Sequence, residues 1–255
     1  MPKDHQILRF DRLEVEQSVY PPHLYMPAHT DKLSRISIIL DGELLEYSGK
    51  EEVRAKASSL VIKPNYVVHE NIFGKDPVKS LSISFHDDRL LADHFNRWQW
   101  INHPKVNVLG IRLWAAIRQV KTEKALMNCF DDFLSALAIL KYNTASKSVL
   151  WQEQLKELLE KDLSEAENIQ VLSQKFSLHR VYLARAFKSR YGIPPVEFRK
   201  YSRVAAALLD ISLSSKSLVS IAYDAGFSDQ SHMNREFKQH TGCTPANFRG
   251  LINRS

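Results

Sequence analysis

The sequence is poor in cysteine and glycine and has no long apolar run. Its two cysteines, Cys129 and Cys243, stand far apart in 255 residues. They read as reduced thiols rather than a disulfide framework, which points to a reducing compartment. Eight glycines are spread thinly, and none of them builds a phosphate-cradling loop. No apolar stretch approaches the eighteen or so residues that span a bilayer. The opening MPKDHQILRFDRLEVE is too charged for a secretory signal. A cytoplasmic protein without membrane contact is therefore expected. No nucleophile stands with a base and no zinc-ligand spacing occurs, so no catalytic residue, cofactor or metal is expected. What remains is 44% apolar residues, enough to fill the core of one large or two ordinary domains.

One stretch occurs twice. RAFKSRYGIPPVEFR (185–199) and REFKQHTGCTPANFR (235–249) align at an offset of fifty. The matching pairs are Arg185/Arg235, Phe187/Phe237, Lys188/Lys238, Gly192/Gly242, Pro195/Pro245, Phe198/Phe248 and Arg199/Arg249. A repeat at fixed offset means one supersecondary unit built twice. Leu183 with Phe187, and Met233 with Phe237, share a helical face. Gly192 and Gly242 suit a left-handed helix stop. Pro195 and Pro245 suit the first position of the next helix, where no N–H is needed. Thr244 can cap that helix by its side chain; Pro194 cannot. Upstream, Asn168 and Ser217 predict N-caps for short helices carrying Ile169, Leu172 and Phe176, and Leu218, Ile221, Ala222 and Ala225. Gly226 supplies the turn between helices. Each unit is then a helix-turn-helix, whose second helix can lie in a DNA major groove. The offset is forty-nine at Leu172/Ile221 and fifty after the turn, so the second turn carries one extra residue.

The charge follows the repeat. Residues 165–255 hold 13 Lys/Arg and 7 Asp/Glu, whereas 1–164 hold 22 of each. The formal excess of +6 thus lies wholly on the repeat half, as phosphate neutralisation requires.

AGFSDQSHMNREFKQHTGCTPANFR is similar, nearly residue for residue, to the second helix-turn-helix of the AraC/XylS family of bacterial transcription regulators. The resemblance covers roughly 150–250, including a connecting helix through Arg203, Val204 and Ala207. It departs from the family at Ser177, where glycine is usual, at His179, where a serine cap is usual, at Pro194, and at the normally apolar Asp210. It implies an all-α DNA-binding domain over 149–255, opened by a helix with Trp151, Leu155, Leu158 and Leu159 on one face. By position along the recognition helices, the DNA contacts are Arg180, Val181, Ala184, Arg185 and Lys188 in the first and Gln230, Ser231, Asn234, Arg235 and Lys238 in the second. Gln and Asn can pair bidentately with adenine and Arg with guanine. Val181 and Ala184 can touch only thymine methyls or the sugar edge. Lys188 and Lys238 suit phosphate. For Arg185 and Arg235 the alternative is a packing role; Phe187, Phe198, Phe237 and Phe248 are core.

Residues 6–85 read as strands. In RISIIL, Ile36, Ile38 and Leu40 alternate inward, Asp41-Gly42 predicts a hairpin turn, and ELLEYSG returns. SSLVIKP and VKSLSISF add further strands. Many short strands without helices between them imply a barrel or double-sheet roll. PPHLYMPAH (21–29), ILDGEL (39–44) and KPNYVVHEN (63–71) resemble a cupin-like sensor domain. The fold class expected is thus α+β with two domains, a cupin-like β-barrel with trailing helices followed by the double helix-turn-helix domain. A metal-binding cupin would supply histidines at the places of His29, Asp31 and His69 and a glutamate at that of Arg35. Asp31 and the cation at Arg35 oppose a metal. Ser58 and Tyr66 stand where that motif has glycine. The reading preferred is a pocket for a small organic effector lined by His29, Arg35, Tyr66 and His69; the alternative is a barrel without ligand.

Residues 86–142 turn helical and close the first domain, 1–142. Leu113, Trp114, Ile117 and Val120 form one stripe. Leu126, Phe130, Phe133, Leu134, Leu137 and Leu140 form another, which is core or a homodimer seam along 123–142. NTASKS (143–148) is the linker. The whole reads as a ligand-responsive regulator of transcription with double-stranded DNA as partner and RNA polymerase as a further one. Two rivals are a cupin-type metal enzyme with a DNA-binding appendage and a sequence-tolerant architectural DNA binder.

Overall fold

The computed structural model describes residues 4–11, 13–57, 59–86, 97–119, 123–144, 149–161 and 169–252. The chain divides into two compact units, Met1–His103 and Pro104–Ser255. The first is built of strands and the second of helices, an α+β architecture in two parts.

The strands of the first unit are β1 (Asp4–Arg9), β2 (Leu13–Tyr20), β3 (Tyr25–His29), β4 (Ser34–Asp41) and β5 (Glu43–Ser48). They continue as β6 (Glu51–Lys56), β7 (Leu60–Lys63), β8 (His69–Phe73), β9 (Val78–Phe85) and β10 (Gln99–Ile101). Two antiparallel sheets result, one in the order β1-β2-β9-β4-β7-β10 and one in the order β3-β8-β5-β6. Among the described residues no strand pairs across them, so the barrel expected from sequence is not closed.

The chain passes from one sheet to the other at Gly42. The Asp41-Gly42 turn, expected to close a hairpin, instead turns a corner. β4 pairs with β7 and β9 in the larger sheet, and β5 pairs with β6 and β8 in the smaller. Gly42 has φ +81°, and a Cβ there would meet the Pro77 carbonyl oxygen at 2.5 Å. Only glycine fits both the left-handed backbone and that approach. A second correction concerns β4. Ile36 and Ile38 are fully buried, but on the face away from the smaller sheet. Arg35, Ser37 and Ile39 face the space between the sheets. A register shift between Ile39 and Asp41 breaks the alternation and leaves Leu40 half-buried. One end of that space is plugged by Ile39, Leu44, Ala55, Phe73 and Val78.

The helices of the second unit are α1 (Pro104–Gln119), α2 (Glu123–Thr144), α3 (Leu150–Lys161), α4 (Ile169–Lys175) and α5 (Arg180–Tyr191). They continue as α6 (Pro195–Leu213), α7 (Leu218–Asp224), α8 (Gln230–Thr241) and α9 (Pro245–Ile252). Helices α1 and α2, assigned from sequence to the domain 1–142, group here with the helices that follow. Helix α1 packs on α6, α8 and α9, and α2 packs on α1 and α5. Their apolar stripes account for this. Leu113, Trp114, Phe130, Phe133 and Leu137 are all buried within the chain, so the stripe on α2 is core along that length. The side chains of Ile117, Val120, Leu126 and Leu140 lie outside the described ones.

Helix α2 runs through Thr144, so Asn143 and Thr144 are helical rather than linker. Residues 145–148, Ser58 and Asn168 lie outside the described residues. Cys129 and Cys243 are both free thiols. Helix α3 buries Leu155 and Leu159, and with them Gln152, whose amide donates to the Ala186 carbonyl at 3.1 Å.

Candidate DNA-reading surface and inter-sheet cavity

The repeat is a structural repeat. Helices α5 and α8 are both 12 residues long and start fifty positions apart. Both stop at a left-handed glycine, Gly192 at φ 77° and Gly242 at φ 80°, whose N–H donates to Lys188 and Lys238 carbonyls respectively. Pro195 and Pro245 then open α6 and α9. The Thr244 hydroxyl accepts from Asn247 N–H at 3.3 Å, while Pro194 gives no side-chain cap. Ser217 caps α7 by accepting from Ser220 N–H at 3.1 Å.

The extra residue of the second turn is Ser228. Leu178 N–H donates to the Ser173 carbonyl and Phe227 N–H to the Ala222 carbonyl, so those partners stand forty-nine apart. The caps His179 and Asp229 stand fifty apart. His179 Nδ1 accepts from Val181 N–H at 3.4 Å, a weaker cap than the Asp229 carboxylate, which accepts from His232 N–H at 2.7 Å. That hydrogen bond holds the Asp229 carboxyl below its ordinary range.

Each second helix divides into two faces. Leu183, Phe187 and Tyr191 on α5, and Met233, Phe237 and Thr241 on α8, are buried. The rings of Phe187 and Phe198 meet edge-on at 5.3 Å, and those of Phe237 and Phe248 at 5.7 Å. Arg180, Val181, Arg185 and Lys188 are exposed on α5, with Ala184 partly so. Ser231, Arg235 and Lys238 are exposed on α8, with Gln230 and Asn234 partly so. Among the described residues none of these polar side chains has a hydrogen-bond or ion-pair partner. Arg185 and Arg235 are both exposed. The acid on α8 points elsewhere: Glu236 pairs with Lys200 of α6 at 3.4 Å and lies 3.4 Å from the His240 ring. The outward faces are therefore cationic and polar, with no carboxylate spent against them.

A cavity of about 140 Å³ lies between the two sheets. His29, Arg35 and His69 line it together. Tyr66, the fourth residue expected there, does not: its φ of 58° turns the backbone left-handed, and the residue is 67% exposed. Sequence reasoning missed Glu46 and Lys63, which form an ion pair at 2.9 Å in the cavity wall. Trp98 also donates to Glu46, at 2.9 Å. The signal was there in the period of two, since Glu46 follows Leu44 and Lys63 follows Val61 on inward positions. Arg35 is engaged by Asp31 at 3.7 Å and Glu16 at 3.8 Å, and its Nε donates to Ser84 at 3.1 Å. The rings of His29 and His69 lie 4.3 Å apart. Each places Nδ1 against the carbonyl two residues before it, Pro27 at 2.8 Å and Val67 at 3.0 Å, so each Nδ1 donates. Burial, and then the Lys63 cation, push the pKa of His69 down. Asp31 lies 3.8 Å from His69, outside hydrogen-bond reach and already shared with Arg35, and does not offset this. Among the described residues no group of three or more His, Cys, Asp or Glu is placed to hold a metal ion.

A family described as a helix-turn-helix domain matches residues 172–250, which span both motifs. That stretch of the chain is a DNA-binding domain of the helix-turn-helix class. The curated proteins it is similar to are named as transcription regulators. MtrA of Neisseria gonorrhoeae is 25% identical over 166 residues, 58% of this chain and 54% of that protein. ExsA of Pseudomonas aeruginosa is 30% identical over 97 residues, 38% of this chain and 35% of that protein. The matched stretches span 29% to 54% of the curated relatives' length. Among solved structures, ToxT of Vibrio cholerae aligns over 94% of this chain and 99% of its own, at 15% identity and a TM-score of 0.41.

Proposed function

We propose that the protein is a sequence-specific, cytoplasmic transcription regulator that reads two successive major grooves with α5 and α8. The observation that carries this is the pair of equal helices fifty residues apart, each presenting unpaired basic side chains to solvent, joined on α8 by the amides of Gln230 and Asn234. They flank α6, a helix of 19 residues and so about 28 Å long. Successive grooves on one DNA face are roughly 34 Å apart. In this reading Gln230, Ser231, Asn234, Arg235, Arg180 and Arg185 contact base edges, Val181 and Ala184 the apolar edge, and Lys188 and Lys238 phosphate. RNA polymerase is a proposed partner. A second copy of the chain is a further proposed partner along 123–142, where Phe130, Phe133 and Leu137 are covered and Leu134 is partly exposed.

The inter-sheet cavity is the proposed effector site, with His29, Arg35 and His69 as its polar groups. A cavity near 150 Å³ holds a molecule of about benzene's size. The test is selection of duplexes from a randomised library by the full chain at two salt concentrations. Enrichment of one bipartite sequence supports the reading. Equal affinity for all duplexes at fixed salt points instead to an architectural binder.

A further inference from the structure

Trp114 lies outside both motifs, in α1, yet it is 2% exposed and takes part in the packing of the second motif. Its ring stands edge-on to Phe248 of α9, with centroids 5.4 Å apart at 75°. Phe248 stands against Phe237 on the inner face of α8 at 5.7 Å. Phe248 and Phe237 are themselves essentially unexposed. Three aromatic rings thus run in series from α1 to the helix that carries Gln230, Asn234 and Arg235. Helix α1 also contacts α6 at its other end. Lys105 lies 3.9 Å from Glu197 and sits over the Tyr201 ring at 5.8 Å. Tyr201 in turn stands against His240 of α8 at 4.6 Å.

The first motif is supported differently. Phe187 meets Phe198 directly, and beneath it Gln152 of α3 holds the Ala186 carbonyl. So the two recognition helices are backed differently, the first by α2 and the Gln152 hydrogen bond from α3, the second by α1. Packed interiors transmit displacements because they lack free volume. A void at position 114 leaves Phe248 without its edge partner and lets α8 shift relative to α6.

We propose that Trp114 is a positioning residue for the second recognition helix, so that α1 is a working part of the DNA-reading unit. This rests on the reading of α8 as a DNA-contacting helix. The test uses the full chain and a duplex that the wild type selects from a randomised library, with each half-site followed separately by footprinting. Trp114→Ala should weaken protection of the half-site read by α8 by about tenfold, the equivalent of 1.4 kcal/mol. Protection of the half-site read by α5 should change less than twofold. Trp114→Phe keeps an aromatic ring in place and should show a smaller loss of the same one-sided kind. It carries the test alone if Trp114→Ala loses cooperative thermal unfolding. Equal weakening of both half-sites, or no weakening of either, in a folded variant overturns the proposal. A wild-type chain that selects no duplex overturns the underlying reading instead.

Discussion

Ser177 and Gly226 occupy the same point of two turns and are both left-handed, at φ 51° and 76°. An L-residue with a Cβ is disfavoured there by about 1–2 kcal/mol. Glycine also loses more chain entropy on folding, which offsets part of that gain. Ser177→Gly should therefore stabilise the helical unit by about 0.5–1 kcal/mol, and Gly226→Ala should destabilise it by about 1 kcal/mol. Urea unfolding followed by far-ultraviolet dichroism measures both. Destabilisation by Ser177→Gly would mean that the serine side chain has a role of its own.

The two recognition helices differ in what they offer to base edges. Gln230→Ala or Asn234→Ala should relax preference at one or two base pairs, since a bidentate contact gives about 1–3 kcal/mol of discrimination. Lys238→Ala should weaken binding to every sequence and flatten the salt dependence by about one unit of slope. Binding to a randomised operator library at two salt concentrations separates the two outcomes. An unchanged preferred sequence in the first two variants would make those side chains positioning groups and move readout to α5 or to DNA shape.

Glu46 and Lys63 are nearly buried and pair inside the sheet unit. Removing one partner strands the other's charge, at a cost of about 3–5 kcal/mol. Glu46→Ala should thus lower the denaturant midpoint strongly. The double variant Glu46→Leu, Lys63→Met should recover most of the loss. If the double variant is as unstable as the single one, shape at the cavity wall matters more than charge.

The pKa of His69 lies below 6.5 in the folded chain, so between that value and 6.5 the unfolded chain binds more protons than the folded one. Stability must then rise with pH across that window and be lost as pH falls below 6.5. The same sign holds for His240, lowered by burial. The melting temperature should fall from pH 7 to pH 5, and His69→Asn should flatten that fall for the sheet unit. A pH profile unchanged by the substitution would remove His69 as its source.

Gly42→Ala must either move the Pro77 backbone or break the corner between the sheets. Loss of cooperative unfolding of the sheet unit is expected. A variant with wild-type thermal stability would show that the corner tolerates a Cβ.

The repeat half was legible because its signals are local. A glycine that must be left-handed, a proline that opens a helix and apolar residues four apart act within a turn or two of backbone. Seven matched pairs at one offset therefore determined α5 and α8, their glycine stops and the prolines that open α6 and α9. The single extra residue of the second turn was countable in the same way.

The sheet half and α1 were legible only in part, because strand pairing and helix docking join residues far apart in sequence. The period of two placed the strands but could not say which face of β4 meets the cavity, or whether Asp41-Gly42 folds β5 back onto β4. The backbone around Pro77 decides that, thirty-five residues on. Tyr66 was expected in the cavity by position along a motif, and a left-handed backbone turns it out. Trp114 was visibly apolar from its stripe. That its partner is Phe248 follows from shape complementarity between helices, which no local pattern encodes.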